Sequence, residues 1–146
     1  MAFTPLMMNL IKDLRKRDPE CKTVYEFGTQ RWHTNDDTYK TTEEFYLGQG
    51  FEEYIDIDIN EDAKACMDLN FPVINESTCD HWSMVPLDLV TNNGDGEHIF
   101  DQRTVFENAH NLSRKWMIHV LPMTTWYNHG FFNYNPILFR DLAARS

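Results

Sequence analysis

The sequence predicts an α/β fold in which helices cover both faces of a mostly parallel sheet of about five strands. Short apolar runs alternate with stretches of helical periodicity, which is the order typical of βαβ units. Several of these runs stop abruptly in small polar residues, as buried parallel strands do at the edge of a sheet. The chain has 146 residues and no repeat or linker, so we expect one domain covering residues 1–146.

Four helices are predicted. The first begins at Thr4-Pro5, an N-cap followed by proline at the first helical position, and we expect residues 1–20 to pack on the core. Its apolar residues recur at helical spacing and are predicted to share the buried face: Leu6, Met7, Leu10, Ile11 and Leu14. The other helices are predicted at residues 41–47, 101–112 and 136–144.

Five strands are predicted between these helices. Four of them cover residues 23–28, 54–59, 87–91 and 116–121, and a short strand is predicted within residues 62–68. In a parallel sheet, ligands bind in the loops that follow the carboxyl ends of the strands. The polar residues at these ends are therefore the candidate functional residues.

Composition limits the classes of partner and compartment. The formal net charge of −10, from 23 acidic and 13 basic residues, repels phosphate backbones and makes nucleic acid a poor match. The cysteines, Cys21, Cys66 and Cys79, have no CxxC spacing, and no signal peptide is evident. The apolar runs are far shorter than the ~20 residues of a membrane span. We therefore expect reduced thiols, a cytoplasmic location and no membrane partner.

The turn after the first strand carries the clearest binding signal. Glu26 lies at the end of this strand, and Gly28 follows where the backbone turns tightly and where a ligand can approach the main chain. The next strand ends at Asp58, a position whose carboxylate commonly accepts hydrogen bonds from ribose hydroxyls. The pattern favours a nucleoside-containing ligand, although many α/β folds carry a glycine there for the turn alone.

These segments resemble class I S-adenosylmethionine-dependent methyltransferases. The resemblance covers most of residues 23–144, and the four segments similar to successive family motifs are 24–29, 54–60, 66–70 and 87–94. It implies a Rossmann-like fold, S-adenosylmethionine as cofactor, and methyl transfer to a small-molecule or glycan acceptor. The chain departs from the family at Gln30-Arg31-Trp32, where further glycines are usual, and at Arg114-Lys115, where related sequences tend to have a Gly-Gly turn.

The resemblance also implies roles for individual residues. The implied cofactor-binding residues are Glu26, Gly28, Thr29, Asp58, Asp68, Leu69, Asn92, Asn93 and Gly94. Among them, Glu26 would meet the methionine ammonium group directly or through water, and Asp58 would hold the ribose. Asp68 and Leu69 would flank the adenine, whereas the residues at 92–94 would line the face nearest the transferred methyl group.

Two histidines are the candidate catalytic bases. His98 and His129 both follow strand ends, and histidine titrates near neutral pH. The alternative for His129 is a hydrogen bond that caps the turn at residues 128–133. For His98 the alternative is a contact at the start of a helix.

The family sheet normally gains two strands after the fifth, and this sequence lacks them. An edge strand left uncovered beside apolar faces favours association. We therefore expect a homo-oligomer, or a partner chain that covers this edge.

Two alternative functions stay open. Asp95, Glu97, His98 and His129 are residues able to ligate a divalent ion in a metal-dependent hydrolase. No spacing such as HxH fixes two ligands on one element, and we predict no metal site. The shortened fold also suits a catalytically inactive nucleoside-binding subunit or a structural oligomerisation subunit. The aromatic residues suit either a substrate pocket or an interface: Trp126, Tyr127, Phe131, Phe132 and Tyr134.

Overall fold

The structure, a computed structural model, describes residues 2–34, 37–73, 84–123 and 128–144. The strands in these ranges are β1 (Ala2–Phe3), β2 (Thr23–Phe27), β3 (Arg31–Trp32), β4 (Glu53–Asp58), β5 (Ala65–Cys66), β6 (Leu87–Asn93) and β7 (Ser113–Val120). The helices are α1 (Pro5–Arg17), α2 (Thr42–Gly48), α3 (Gln102–Leu112) and α4 (Pro136–Ala143), with a short 3₁₀ helix at Gly96–His98. Cys79, Trp126 and Tyr127 lie outside the described residues.

The main sheet of the described residues is all-parallel and has the order β5-β4-β2-β6-β7. This is the Rossmann strand order, in which the first strand lies in the middle and the chain then progresses outward in both directions. Glu26 on β2 is paired with Asp56 on β4 and with Thr91 on β6. The order of strands reverses between β2 and β6, so this is the topological switch point. The predicted Rossmann-like α/β fold is confirmed.

Helices cover both faces of this sheet. On one face, α1 and α2 bury Met7, Ile11 and Phe45 in a core cluster with strand residues such as Val24. On the other face, α3 contributes three buried side chains to a second cluster: Val105, Ala109 and Leu112. Their spacing of three to four residues places them on one side of α3, the side that faces the sheet.

The buried face of α1 differs from the predicted one. Leu6 and Leu10 are 57% and 37% exposed, whereas Met8, which was not predicted to be buried, lies in the core. Entry of the chain through β1 explains the rotation, because Phe3 is wholly buried and stacks on Trp32 at a ring-centroid distance of 5.6 Å. Burial of Phe3 fixes which side of the following helix meets the sheet.

The short strand predicted within residues 62–68 lies at Ala65–Cys66. Two strands differ from their predicted bounds by more than one residue. β6 extends to Asn93, two residues beyond its predicted end. β7 begins at Ser113, directly after α3 and three residues before its predicted start at Trp116. Among the described residues, none of the helices combines the length and apolar character needed to cross a bilayer.

Candidate functional site

The turn after β2 is tied to the end of β4. Gly28 has a φ of +77° and its amide donates to the Ile57 carbonyl at 2.7 Å. The Thr29 amide donates to Asp58 Oδ2 at 2.8 Å, and the Asn60 amide donates to Asp58 Oδ1 at 3.0 Å. The structure thus brings Gly28, Thr29 and Asp58 together, as the sequence predicted. Each Asp58 oxygen keeps a further lone pair with which to accept a ligand's hydrogen bond.

Asp95 lies against the open side of this turn. A Cβ atom added to Gly28 would overlap the Asp95 carboxylate, which explains why glycine occupies this position. Burial, together with repulsion from the Asp58 carboxylate, raises the pKa of Asp95 to about 6. Asp58 and Asp95 therefore make the crevice at the switch point acidic. The sequence did not place Asp95 among the cofactor-binding residues.

Glu26 belongs to a buried polar network next to the turn. Its side chain is wholly buried and accepts hydrogen bonds from the hydroxyls of Tyr54 at 2.7 Å and Tyr46 at 3.4 Å. Burial raises the pKa of this carboxyl group to about 8, although the hydrogen bonds from the tyrosines oppose the shift. The Glu26 carboxyl group is thus bound by tyrosine hydroxyls of the protein itself. Its predicted contact with the ammonium group of the cofactor stays a prediction.

The loop after β5 connects the same edge of the sheet to α3. Asp68 Oδ1 accepts from the amide and the side-chain nitrogen of Asn70, at 2.9 and 2.8 Å. The Asn70 side-chain oxygen accepts in turn from the amides of Phe100 and Asp101, just before α3. Leu69 is buried in the second core cluster. Asp68 and Leu69 are therefore held in place by contacts of the protein's own chain.

The end of β6 presents two asparagines with different surroundings. Asn93 Nδ2 donates to the Ala2 carbonyl at 3.3 Å and faces Gln30 Oε1 at 3.5 Å, which ties the N-terminal strand to the crevice. Asn92 Oδ1 accepts from the Gly96 amide at 2.9 Å. Its Nδ2 is buried and has no hydrogen-bond partner among the described residues. A buried donor left in this way is unfavourable, so Asn92 Nδ2 is a candidate ligand contact. Gly94, the next residue, has a φ of +74°.

Both predicted catalytic histidines meet the carboxylate of Glu97. The Nε2 atoms of His129 and His98 lie 3.2 and 3.8 Å from Glu97 Oε1. Glu97 is wholly buried, and this burial raises its pKa, while burial lowers the pKa of His98. We call Glu97, His98 and His129 the His–Glu cluster. Asp95, the fourth ligand weighed for a metal site, lies against Gly28 instead.

The loop that carries His129 is fixed to Glu97 through its backbone. Gly130 has a φ of +74°, and a Cβ atom there would overlap the side chain of Glu97. The Phe131 amide donates to the Glu97 carbonyl at 2.7 Å. Sequence reasoning considered Glu97 only as a metal ligand and missed this anchoring, since the contact joins segments more than 30 residues apart.

A concave region of about 540 Å³ lies between α3, β7 and α4. Its lining is mostly apolar and includes Phe106, Met117 and Phe139. His119, whose pKa burial lowers to about 4, also lines it. None of the predicted cofactor-binding or catalytic residues belongs to this lining.

No protein-family model, curated protein or solved structure matches this chain. The fold, the acidic crevice and the His–Glu cluster are therefore the features that bear on its function.

Proposed function

We propose that this chain binds S-adenosylmethionine in the crevice around Gly28 and transfers its methyl group to a small-molecule or glycan acceptor. One observation carries the proposal: a positive-φ glycine at the switch point of a Rossmann-ordered sheet is joined, through the Thr29 amide, to the carboxylate of Asp58. Open α/β sheets bind their ligands in this crevice, and an acid after the second strand is suited to ribose hydroxyls.

The charge of the crevice supports a cationic cofactor. Asp58 and Asp95 flank the turn, and their carboxylates attract a ligand that carries sulfonium and ammonium groups. The same carboxylates repel the pyrophosphate of a dinucleotide. The turn also lacks the second and third glycines with which a dinucleotide site admits a pyrophosphate, because Thr29-Gln30-Arg31 follows Gly28.

In this proposal the protein orients the cofactor and excludes water. Asp58 accepts hydrogen bonds from the ribose, and Asp68 with Leu69 flanks the adenine. Asn92 Nδ2, the buried donor without a described partner, donates to a ligand acceptor such as the methionine carboxylate. The cofactor, when bound, supplies the transferable methyl group. Correct orientation of the acceptor towards this methyl group supplies much of the rate enhancement.

The His–Glu cluster supplies a base in this scheme. A buried carboxylate beside an imidazole fixes the ring and stabilises the imidazolium formed on proton transfer. Glu97 stands in this relation to His129, at 3.2 Å, and more distantly to His98. His129 takes the proton of an acceptor hydroxyl or amine.

The second candidate is a catalytically inactive subunit that binds a nucleoside or serves assembly. Two observations favour it: the Asp95 carboxylate fills the space over Gly28, and β7 carries half-exposed apolar side chains such as Met117. In this candidate a second copy of the chain covers the β7 edge. A methyltransferase must bind S-adenosylmethionine, whereas a purely structural subunit need not, so a binding measurement distinguishes these two candidates.

The test is a calorimetric titration of the purified protein with S-adenosylmethionine, S-adenosylhomocysteine and NAD. We expect micromolar binding of the first two and none of NAD. Asp58→Asn should weaken binding by at least about tenfold, equivalent to about 1.4 kcal/mol. Asp13→Asn, which removes an exposed acid from α1, is the matched control and should bind normally. Absence of binding to wild-type protein would overturn the proposal.

A further inference from the structure

The spacing within the His–Glu cluster matches a coordination sphere. One ligating atom from each of Glu97, His98 and His129 lies within 4.8 Å of the other two. In tetrahedral zinc sites the metal–ligand bonds are about 2.0–2.2 Å, so neighbouring donor atoms lie about 3.3–3.6 Å apart. The observed separations from Glu97 Oε1, 3.2 Å to His129 and 3.8 Å to His98, lie on either side of this range.

We propose that the His–Glu cluster binds one divalent transition-metal ion of the zinc class, with Glu97, His98 and His129 as its protein ligands. Two imidazoles and one carboxylate are a ligand set of catalytic zinc sites and of non-haem iron sites. The proposal departs from the sequence prediction of no metal site, which looked for ligand pairs on one element. Here the third ligand comes from a separate loop.

The state of Glu97 gives independent support. Its side chain is wholly buried, and Oε2 has no hydrogen-bond partner in the part of the chain that the structure describes. An ionised carboxylate taken out of water is unfavourable unless a charge compensates it. A divalent ion supplies that compensation, whereas the His129 imidazole, 3.2 Å from Glu97 Oε1, supplies it only when it is protonated.

The cluster is open on one side. The side chains of His98 and His129 are 41% and 34% exposed, while that of Glu97 is 0% exposed. A bound ion therefore has the carboxylate behind it and a free coordination position towards solvent, as in a catalytic rather than a structural site. Phe100 and Phe131, both largely exposed, form an aromatic pair at 6.3 Å in the same loops.

The free coordination position and the aromatic pair indicate which further ligand the metal ion would bind. An oxygen donor, such as the hydroxyl of an acceptor, fills the free position, while an apolar part of the same molecule contacts Phe100 and Phe131. Coordination makes a hydroxyl easier to deprotonate, and its proton would leave to solvent water on the open side of the cluster. The oxygen would then take the methyl group as the sulfonium C–S bond breaks, and S-adenosylhomocysteine would be released. This step deepens the proposed methyl transfer and rests on it, and in the metal-loaded protein His129 is a ligand rather than the base. Metal binding itself does not depend on the cofactor.

The competing explanation of the cluster is a proton-mediated ion pair between Glu97 and His129. Such a pair needs no metal, and His98 does not contribute to it. Replacement of His98 therefore distinguishes the two explanations. It is also the gentler variant, because the His98 side chain is partly exposed and the fold should tolerate its loss.

The experiment titrates the chelator-treated 146-residue protein with Zn²⁺, Co²⁺ and Mg²⁺. We expect one equivalent of Zn²⁺ or Co²⁺ to bind, with a visible Co²⁺ absorption band, and Mg²⁺ not to bind. His98→Gln and His129→Gln should each weaken binding at least about tenfold, as loss of one ligand predicts. His110→Gln, an exposed histidine on α3 outside the cluster, is the matched control and should bind normally.

Two results would overturn the inference: no stoichiometric binding of Zn²⁺ or Co²⁺ by the wild type, or equal binding by His98→Gln. The melting temperature of each variant, measured without metal, checks that it is folded. S-adenosylhomocysteine is titrated in parallel with and without Zn²⁺. Cofactor binding without metal binding overturns this inference alone, and metal binding without cofactor binding overturns the proposed function alone.

Discussion

Gly28 combines two demands that only glycine meets. Its φ of +77° is unfavourable for any residue with a Cβ atom, and the space that such an atom would occupy is filled by the Asp95 carboxylate. The same absence of a side chain brings the Asp95 carboxylate against the backbone of the crevice, where the proposed cationic ligand would meet it. Stability and binding therefore depend on one residue, and a control is needed to separate them.

Gly28→Ala should destabilise the protein and abolish S-adenosylhomocysteine binding. The backbone conformation alone costs about 1–2 kcal/mol, and displacement of Asp95 adds to it. Gly50→Ala is the matched control, because Gly50 has a φ of +87° and its added Cβ would meet only the end of the Arg15 side chain. Urea unfolding and calorimetry measure the two effects. Normal binding by Gly28→Ala would contradict a ligand at this turn.

Glu26 should make stability depend on pH. The folded protein holds this carboxyl group with a pKa of about 8, against 4.5 for the free group. Above pH 4.5 the unfolded chain loses the proton that the folded chain keeps, so stability falls as pH rises towards about 8. Glu26→Gln should flatten this dependence in urea unfolding, whereas Glu107→Gln, at an exposed site on α3, should not. If the free energy of unfolding depended on pH in the same way for wild type and Glu26→Gln, burial would not raise the pKa of Glu26 as stated.

At the scale of elements, Asn108 joins α3 to the loop that follows β5. Its Oδ1 accepts from the Val73 amide at 3.0 Å, and its Nδ2 donates to the Phe71 carbonyl at 2.9 Å and the Leu69 carbonyl at 3.3 Å. These three bonds fix the segment that would flank the adenine. One side chain on a helix thus positions a loop of the crevice.

Asn108→Ala should leave these buried backbone groups unpaired. Each unpaired group costs about 1–3 kcal/mol, so the variant should lose at least this amount in urea unfolding. It should also bind S-adenosylhomocysteine more weakly, because Leu69 is no longer held. Asn111→Ala, at an exposed position of the same helix, controls for the change in helix propensity. Equal stability of the two variants would show that the loop is held by other contacts.

The elements also show what a sequence pattern can predict. Caps and periodicity place α2 and α3 to within a residue or so. The apolar run that ends at Gly28 places β2, and the alternation of apolar and acidic residues places β4, because these signals are local. β1 and β3 have two residues each and no period, and their pairing depends on burial of Phe3. Strand-end residues of the crevice were predictable for the same local reason. The positions of Asp95 and Glu97 were not, since they follow from the paths of loops that meet only in the folded chain.

At the scale of the whole molecule, one edge of the sheet remains open. β7 pairs with β6 on one side, and no further strand of the described residues pairs with its other side. α4, close to this edge, has no buried residue among those described, and its Ile137 is 50% exposed. An open edge beside exposed apolar side chains favours association of two copies.

Self-association is therefore expected in sedimentation at micromolar concentration. Ile137→Glu should shift the protein towards the monomer, because it places a charge on the exposed face of α4. Leu47→Glu adds the same charge at an exposed position of α2, which packs against β4 in the other half of the sheet, and should leave the association unchanged. A wild-type protein that is monomeric at all concentrations would contradict this expectation and leave the edge exposed.

Backbone amide chemical shifts, recorded while S-adenosylhomocysteine is added, locate the ligand without an acceptor or a turnover. If the cofactor binds at the switch point, the largest changes fall on the amides of the residues around it: Gly28, Thr29, Asp58, Leu69 and Gly94. Changes confined to the region between α3, β7 and α4, or no change at saturating ligand, would contradict the assignment of the crevice as the cofactor site.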